Sequence, residues 1–408
     1  MVKNLQVTPQ TSAQGAALFP PARFGARGPV SGQLLTALRQ PTAAATETLI
    51  GFDDAVESAV AHAPDIARDD DMQLTLLVLQ GLHYGGLVAT DDAWEWDPQL
   101  TAARVAIERG FERHLRRDVP VPTLPEVNAE AIAAALFELT KPQPGPSVPR
   151  FIAKKASDEQ AREYVVLRSV YTLKEADPQT WAIPRLTGRA KAALVEIQTD
   201  EYGGGRPERV HSQIFARLMR RLGLDDTYGA YLDQVPALTL ASFTMMGMFG
   251  MNRHLRGVMA GHYAAYEMTS SLPNKFLGDG FRRLGYGTEE TDYFDEHVEA
   301  DAVHEQIAGR DLAGGLAEDE PELLADVMFG ANTSLIVDGW GAQETLEAWE
   351  AGRSALRESA RFWGGGAGAG STGAAAAGAN GGAADGRNNL SADDLNSDDR
   401  SGEIYGRA

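Results

Sequence analysis

Apolar residues recur at helical spacing through most of the chain. Examples are "DDDMQLTLLVLQGLHYGGL" at 69–87, "DPQLTAARVAIERGFERHLRR" at 97–117 and "NAEAIAAALFELTK" at 128–141. The second segment opens with Asp97 as a helix N-cap and Pro98 at the first helical position, a typical helix start. No segment shows the sustained alternation that marks strands. The pattern therefore predicts an all-α protein.

Two later segments carry specific predictions. The Met- and Gly-rich apolar stretch at 238–268 is predicted to form one long core helix. The segment "PERVHSQIFARLMRRLG" at 207–223 is predicted to be a helix that begins at Pro207.

The two ends of the chain differ from the middle. Residues 1–48 are rich in Pro, Gly, Ala, Thr and Gln and are predicted to be a flexible arm. Residues 361–408 are a Gly- and Ala-rich low-complexity segment, which is predicted to be a disordered tail. The helical domain is expected to span residues 49–360.

Composition excludes several function classes. The chain has 408 residues, a formal charge of −20 and no cysteine. An acidic chain repels phosphate and anionic lipid, so neither nucleic acid nor a membrane is expected as a partner. Without cysteine there are no disulfides, thiolate metal sites or cysteine-ligated clusters. No signal peptide or transmembrane run is apparent, and a cytoplasmic location is expected.

The stretch "FDEHVEADAVHEQ" at 294–306 places chemistry on one helix face. His297, Asp301 and His304 follow one another at spacings of four and three residues. On a helix they lie within roughly 60° of one another. Imidazole and carboxylate together suit iron, zinc or manganese. The alternative is a solvated acidic helix that happens to contain histidines.

Four residues elsewhere on apolar helix faces supply candidate partners: Glu175, Glu201, His211 and Glu267. Burying an unpaired charge costs on the order of several kcal/mol. A lone acid on an apolar helix face is therefore a candidate ligand that points into the protein. Each alone could be a helix-end acid or an ordinary core histidine. Together with the stripe they make four carboxylates and three imidazoles, the inventory of a dinuclear non-haem iron site. Two Fe²⁺ ions per chain are therefore predicted.

The remaining five histidines are not assigned to the site, and two of them, on the predicted Glu267 helix, lie about 140° from Glu267 around its axis. They are expected to be structural or to face solvent: His62, His83, His114, His254 and His262.

With these residues in place, positions 150–345 resemble the haem-oxygenase-like diiron oxidases, the iron-containing redox enzyme family. The resemblance rests on Glu175, on "IQTDEYGGGRPERVH" with Glu201 and His211, on Glu267, and on the 297–304 stripe. It implies a helical bundle of about seven helices with its iron ligands at the seven named positions.

The resemblance also implies an activity. Members of the family use iron and dioxygen to oxidise a small organic substrate. The expected reaction is N-oxygenation, hydroxylation or oxidative C–C cleavage of an amino-acid-like or fatty-acid-like compound. Because this chain has no cysteine-containing cluster module, an external electron donor is expected. The oligomeric state is left open, with a homodimer as one candidate.

Three alternatives remain at this point. A ferritin-like iron-binding site would use the Glu208–His211 pair, although an acid in a first helical turn is favoured without any metal. A haem-binding helical protein would need one axial histidine and a wide apolar pocket. A non-enzymatic interaction protein would leave all the acids solvated.

Arg253 and Arg256 are the candidate substrate-binding residues. On a continuous helix they lie within roughly 40° of the direction of Glu267. A guanidinium suits a carboxylate, so Arg256, or else Arg253, is predicted to anchor the substrate. The alternative is a salt bridge to one of the many acids.

Overall fold

The computed structural model describes residues 19–143 and 147–357, without the side chains of 300–302. All regular secondary structure in these residues is helical, so the predicted all-α class is confirmed, with more helices than the seven expected. The α-helices are α1 Pro29–Ala37, α2 Phe52–His62, α3 Asp70–Gly81, α4 Pro98–Asp118, α5 Ala129–Thr140, α6 Val148–Lys154, α7 Asp158–Thr172, α8 Asp177–Thr180, α9 Gly188–Glu201, α10 His211–Arg221, α11 Ala237–Met251, α12 Arg256–Met268, α13 Ser271–Arg283, α14 Thr288–Gln306, α15 Gly315–Asp319 and α16 Leu324–Glu350. A π-helix, Ile307–Gly314, joins α14 to α15. None of the described helices combines the length and apolarity needed to cross a membrane.

Helix α4 begins as the sequence predicts. The Asp97 carboxylate accepts hydrogen bonds from the backbone N–H groups of Gln99 and Leu100. These are two of the donors that a helix N-terminus leaves without an intrahelical partner.

Part of the predicted N-terminal arm lies on the helical body. Helix α1 buries Leu34 and Ala37 completely. The carboxylate of Asp71, in α3, accepts hydrogen bonds from the backbone N–H groups of Val30 and Ser31. Residues 29–37 are therefore held against α3 by apolar burial and a side-chain cap. The division into arm, domain and tail stays a prediction, and residues 1–18 and 358–408 lie outside the described residues.

The prediction of one continuous helix over 238–268 is wrong. Asn252 has an extended backbone (φ −106°, ψ 115°), which ends α11, and a 3-10 turn at 253–255 precedes α12. The Asn252 side chain donates hydrogen bonds to the Met248 carbonyl and the Glu108 carboxylate. Of the two candidate arginines, Arg253 and Arg256, only Arg256 therefore lies on the same helix as Glu267, as the first residue of α12.

Helices α12 and α16 cross at two glycines. A Cβ atom on Gly261 would lie 1.8 Å from the Val327 carbonyl oxygen, and one on Gly330 would lie 2.0 Å from that of Val258. Glycine therefore lets the two backbones touch, and this contact fixes the helix that carries Glu267.

We predict that Gly330→Ala lowers the free energy of unfolding by about 1–3 kcal/mol, because the added methyl group forces the two helices apart. Gly339→Ala is the matched control on the same helix, because a Cβ there meets nothing within 4 Å. It should be neutral or stabilise the protein by up to about 1 kcal/mol. Urea unfolding of both variants makes the comparison, and equal effects would contradict the close crossing.

Candidate metal centre

Six of the seven predicted ligands converge into two buried groups. In each group the ligand atoms lie within 4.8 Å of one another. The first triad is Glu175, His211 and His297; the second triad is Glu201, Glu267 and His304. Asp301 lies on α14 between His297 and His304, and its side chain is outside the described residues. The role of these residues as metal ligands stays a prediction.

Glu175 occupies the turn between α7 and α8. The next residue, Ala176, is buried and has a positive φ of 74°, which is uncommon for a residue with a side chain. The Tyr293 hydroxyl lies 2.9 Å from both carboxylate oxygens of Glu175. Burial, and then the Glu175 charge, raises the pKa of Tyr293 well above its usual value. Tyr293 therefore stays a neutral phenol that donates to Glu175.

A glycine turn brings the two triads together. Glu201 is the last residue of α9, and a Cβ atom on Gly203 (φ 70°) would lie 2.7 Å from the Val210 backbone nitrogen. The predicted helix start at Pro207 is wrong, because Val210 has ψ 126° and α10 begins at His211. The tight return of the chain leaves His211 Nδ1 3.0 Å from Glu201 Oε2.

The imidazoles of α14 are oriented by oxygen acceptors. His297 Nδ1 donates to the Tyr293 carbonyl oxygen at 2.7 Å, and its Nε2 lies 3.8 Å from Glu175 Oε1. His304 Nε2 lies 3.0 Å from Asp200 Oδ2, and its Nδ1 lies 3.4 Å from Glu267 Oε2. Metal-bound histidines commonly make such a bond with the nitrogen that faces away from the metal. In each ring, one nitrogen therefore faces a carboxylate of its own triad.

Asp200 is not among the candidate site residues that the sequence analysis identified. Its side chain is 62% exposed. A search for acids on apolar faces cannot find such a residue, because it reaches His304 from the solvent side.

The electrostatics of the first triad favour a cation. Burial would raise the pKa of Glu175, but His297 and His211 lower it below its usual value, so that the carboxylate is ionised. Burial would lower the pKa of His211, but Glu201 outweighs burial and raises it. His211 Nδ1 and Glu201 Oε2 are buried and form an ion pair at 3.0 Å, and neither atom has a hydrogen-bond partner outside this pair. Buried polar atoms normally have a partner, so a cation between these groups fits the structure.

The other candidates lie outside both triads. Glu208 is exposed in a 3-10 turn and belongs to neither triad. The five remaining histidines are also outside the two groups. Arg256 pairs with Glu320, and Arg253 is exposed. The pairing favours the salt-bridge alternative for Arg256.

A cavity of about 360 Å³ adjoins the triads. Three carboxylates of the triads and one imidazole line it: Glu175, Glu201, Glu267 and His297. Neither Arg253 nor Arg256 is among the lining residues. The cavity therefore gives a small molecule access to the triads from a side that the sequence analysis did not identify.

We predict that Gly203→Ala destabilises the protein by more than about 2 kcal/mol, since the methyl group meets backbone and the positive φ is strained. Gly204→Ala is the control. It has a similar φ of 58°, but a Cβ there meets nothing within 4 Å. Denaturant midpoints of the two variants give the difference. If both variants lose the same stability, close approach of the chain at Gly203 does not hold the triads together.

The comparisons with known proteins agree with this geometry. Residues 162–339 match the family described as iron-containing redox enzyme. A nitrosourea synthase from Streptomyces achromogenes subsp. streptozoticus is 28% identical over 163 residues. The match covers 40% of this chain and 34% of that relative, so the chain spans about a third of the relative's length. Over residues 162–339, which contain all seven predicted ligands, the chain is therefore similar to the iron-containing redox enzyme family.

Proposed function

We propose that the chain is a non-haem diiron oxidoreductase, which holds one ferrous ion at each triad and uses dioxygen to oxidise a small organic substrate. The observation that carries the proposal is the pair of buried triads, which meet where His211 lies 3.0 Å from Glu201. Similarity to an iron-containing redox enzyme family over residues 162–339 supports iron as the metal.

The donor atoms suit ferrous iron. One carboxylate with two imidazoles, as in the first triad, is the donor set of many oxygen-using iron sites. The second triad offers two carboxylates and one imidazole. Glu201 belongs to the second triad and lies 3.0 Å from His211 of the first, so it would help to hold iron where the triads meet. Asp301 is proposed as the seventh ligand because of its position on α14.

Bound ferrous iron would supply the electrons and the open coordination positions that dioxygen reduction requires. The chain supplies the rest. Tyr293 holds the Glu175 carboxylate, and Asp200 orients the His304 ring. The buried setting excludes bulk water, which strengthens electrostatic interactions among the ligands. The cavity holds the substrate beside them.

N-oxygenation is the reaction type best supported. A nitrosourea contains a nitrogen–oxygen bond, and a relative is named for making one. Because the chain has no cysteine, the electrons that restore the ferrous state come from an external donor. A cytoplasmic location and a homodimeric assembly stay predictions.

Ferrous iron added anaerobically to the metal-free protein should bind at two ions per chain, measured by elemental analysis after desalting. The loaded protein should then consume dioxygen, measured with an oxygen electrode. His211→Ala and Glu201→Ala should each lose at least one iron, because each removes a donor where the triads meet.

Glu208→Ala is the matched control and should keep both irons, because Glu208 is exposed and outside the triads. Loss of iron in Glu208→Ala would favour the ferritin-like alternative. Uptake of one iron, or of none, by the unaltered protein would refute the diiron proposal. A haem absorbance band would favour the haem-binding alternative.

Iron affinity should depend on pH. The pKa of His211 in the iron-free protein is raised above the ordinary 6.5, so iron must displace a proton from it. Affinity should therefore fall about tenfold per pH unit as the pH falls through that raised value, and level off above it. Competition with a calibrated chelator at several pH values measures this. An affinity that does not change between about pH 6 and pH 8 would contradict the assignment of His211 as a ligand.

A further inference from the structure

A buried tyrosine lies beside a glutamate of each triad. Tyr293 donates to Glu175 of the first triad. Tyr263 lies four residues before Glu267 of the second triad on α12, so their side chains share a helix face. The Tyr263 hydroxyl donates a hydrogen bond to the Glu267 carboxylate. Burial, and then the Glu267 charge, raises the pKa of Tyr263 well above its usual value, and the group stays a neutral donor.

The direction of the Tyr263 hydroxyl is set by Gln198. Gln198, in α9, is buried, and its Nε2 donates to the hydroxyl oxygen of Tyr263 at 3.2 Å. Because the amide supplies the proton of that bond, the single hydroxyl hydrogen of Tyr263 is left for Glu267. Gln198 lies three residues before Glu201, the last residue of α9. The contact therefore joins the two helices that carry the carboxylates of the second triad.

Further hydrogen bonds fix the amide of Gln198. The Thr180 hydroxyl donates to Gln198 Oε1 at 2.7 Å, which leaves the Nε2 end of the amide for Tyr263. Thr180 Oγ1 also lies 2.9 Å from the Tyr202 hydroxyl, which donates to Asp177 at 2.9 Å. Asp177 and Tyr202 are half-buried. The row of hydrogen bonds therefore runs from the second triad towards the protein surface.

Building on the proposed function, we propose that Tyr263 is a positioning residue for iron at the second triad, because its hydroxyl restrains the rotation of the Glu267 carboxylate. Groups that hydrogen-bond to a metal ligand orient it, and their loss typically costs about 10–100-fold in metal affinity. The two triads then use the same device, with Tyr293 at Glu175 and Tyr263 at Glu267. Neither tyrosine belongs to a triad.

A neighbouring tyrosine provides the matched control. Tyr266 lies three residues after Tyr263 on α12, and its hydroxyl donates to Asp338 at 2.8 Å, outside both triads. If the Tyr263 hydroxyl served only the packing of the core, removal of either hydroxyl would change stability and leave iron binding unaltered. The positioning role instead requires an effect on iron affinity that is specific to Tyr263.

The test is anaerobic titration with ferrous iron in competition with a calibrated chelator. In Tyr263→Phe, one of the two binding steps should weaken by about 10–100-fold, and in Tyr266→Phe both steps should stay unchanged. Mössbauer spectra of the iron-loaded proteins assign the site, because Tyr263→Phe should alter one of the two ferrous signals and Tyr293→Phe the other. Unchanged affinity of both steps in Tyr263→Phe, or an equal loss in Tyr266→Phe, overturns the inference.

A double substitution separates positioning from an unpaired amide. Tyr263→Phe alone leaves the Gln198 amide without its acceptor, which lowers stability. Tyr263→Phe combined with Gln198→Leu replaces both partners by apolar groups, and Thr180 keeps the Ala176 carbonyl as an acceptor at 3.2 Å. The loss of iron affinity should persist in the double variant, which also decides the question if Tyr263→Phe does not fold. Normal affinity in the double variant would overturn the inference.

The unaltered protein distinguishes this inference from the proposed function. If it binds two irons and Tyr263→Phe binds them with the same affinities, only the inference is overturned. If the unaltered protein does not bind two irons, the proposed function is refuted, and the inference that rests on it is overturned as well.

Discussion

Desolvation of ionisable side chains is the constraint on which the centre of this structure depends. Six carboxylates and imidazoles are buried in two adjacent groups inside a helical domain. Burying a single unpaired charge costs on the order of several kcal/mol, so a stable fold must offset the desolvation of these groups with favourable contacts. Part of the compensation comes from contacts within the triads and part from Tyr293 and Asp200. Two cations would supply much of the rest, since the buried His211 Nδ1 and Glu201 Oε2 have only each other as partners.

Close approach of backbones gives the site its precision. The ligands come from five helices or turns, so small shifts between elements would separate them. Gly203 lets the turn after α9 touch the start of α10, and Gly261 lets α12 lie directly on α16. Neither contact tolerates a side chain. The protein therefore uses contacts at the helix ends and crossings, rather than long flexible side chains, to bring the two triads together.

Periodicity predicted much of the fold and most of the candidate site. The spacing of His297 and His304, and the acids on apolar faces, follow directly from helical geometry. The cap at Asp97 follows from local hydrogen bonding. Local signals could not predict the break at Asn252, because it depends on a hydrogen bond to Glu108, which lies 144 positions away. The same limit applies to Asp200, because its partner His304 lies on another helix, 104 positions away in the sequence.

The lining of the cavity could not be predicted from the sequence either. Arg168 has no sequence signature, since a lone arginine on a helix is usually solvated or paired. In the structure Arg168 lies over the Tyr171 ring and lines the cavity, and helical spacing predicts neither contact. The angular argument for Arg256 failed for a related reason. Helical angle places a residue on a face, but pairing with Glu320 decides what that residue contacts.

The central claim is that each triad holds one iron ion. Anomalous diffraction at the iron absorption edge, from crystals loaded anaerobically with ferrous iron, tests it most directly. The account predicts two peaks, one within Glu175, His211 and His297 and the other within Glu201, Glu267 and His304. A single peak, or peaks away from these side chains, would contradict it.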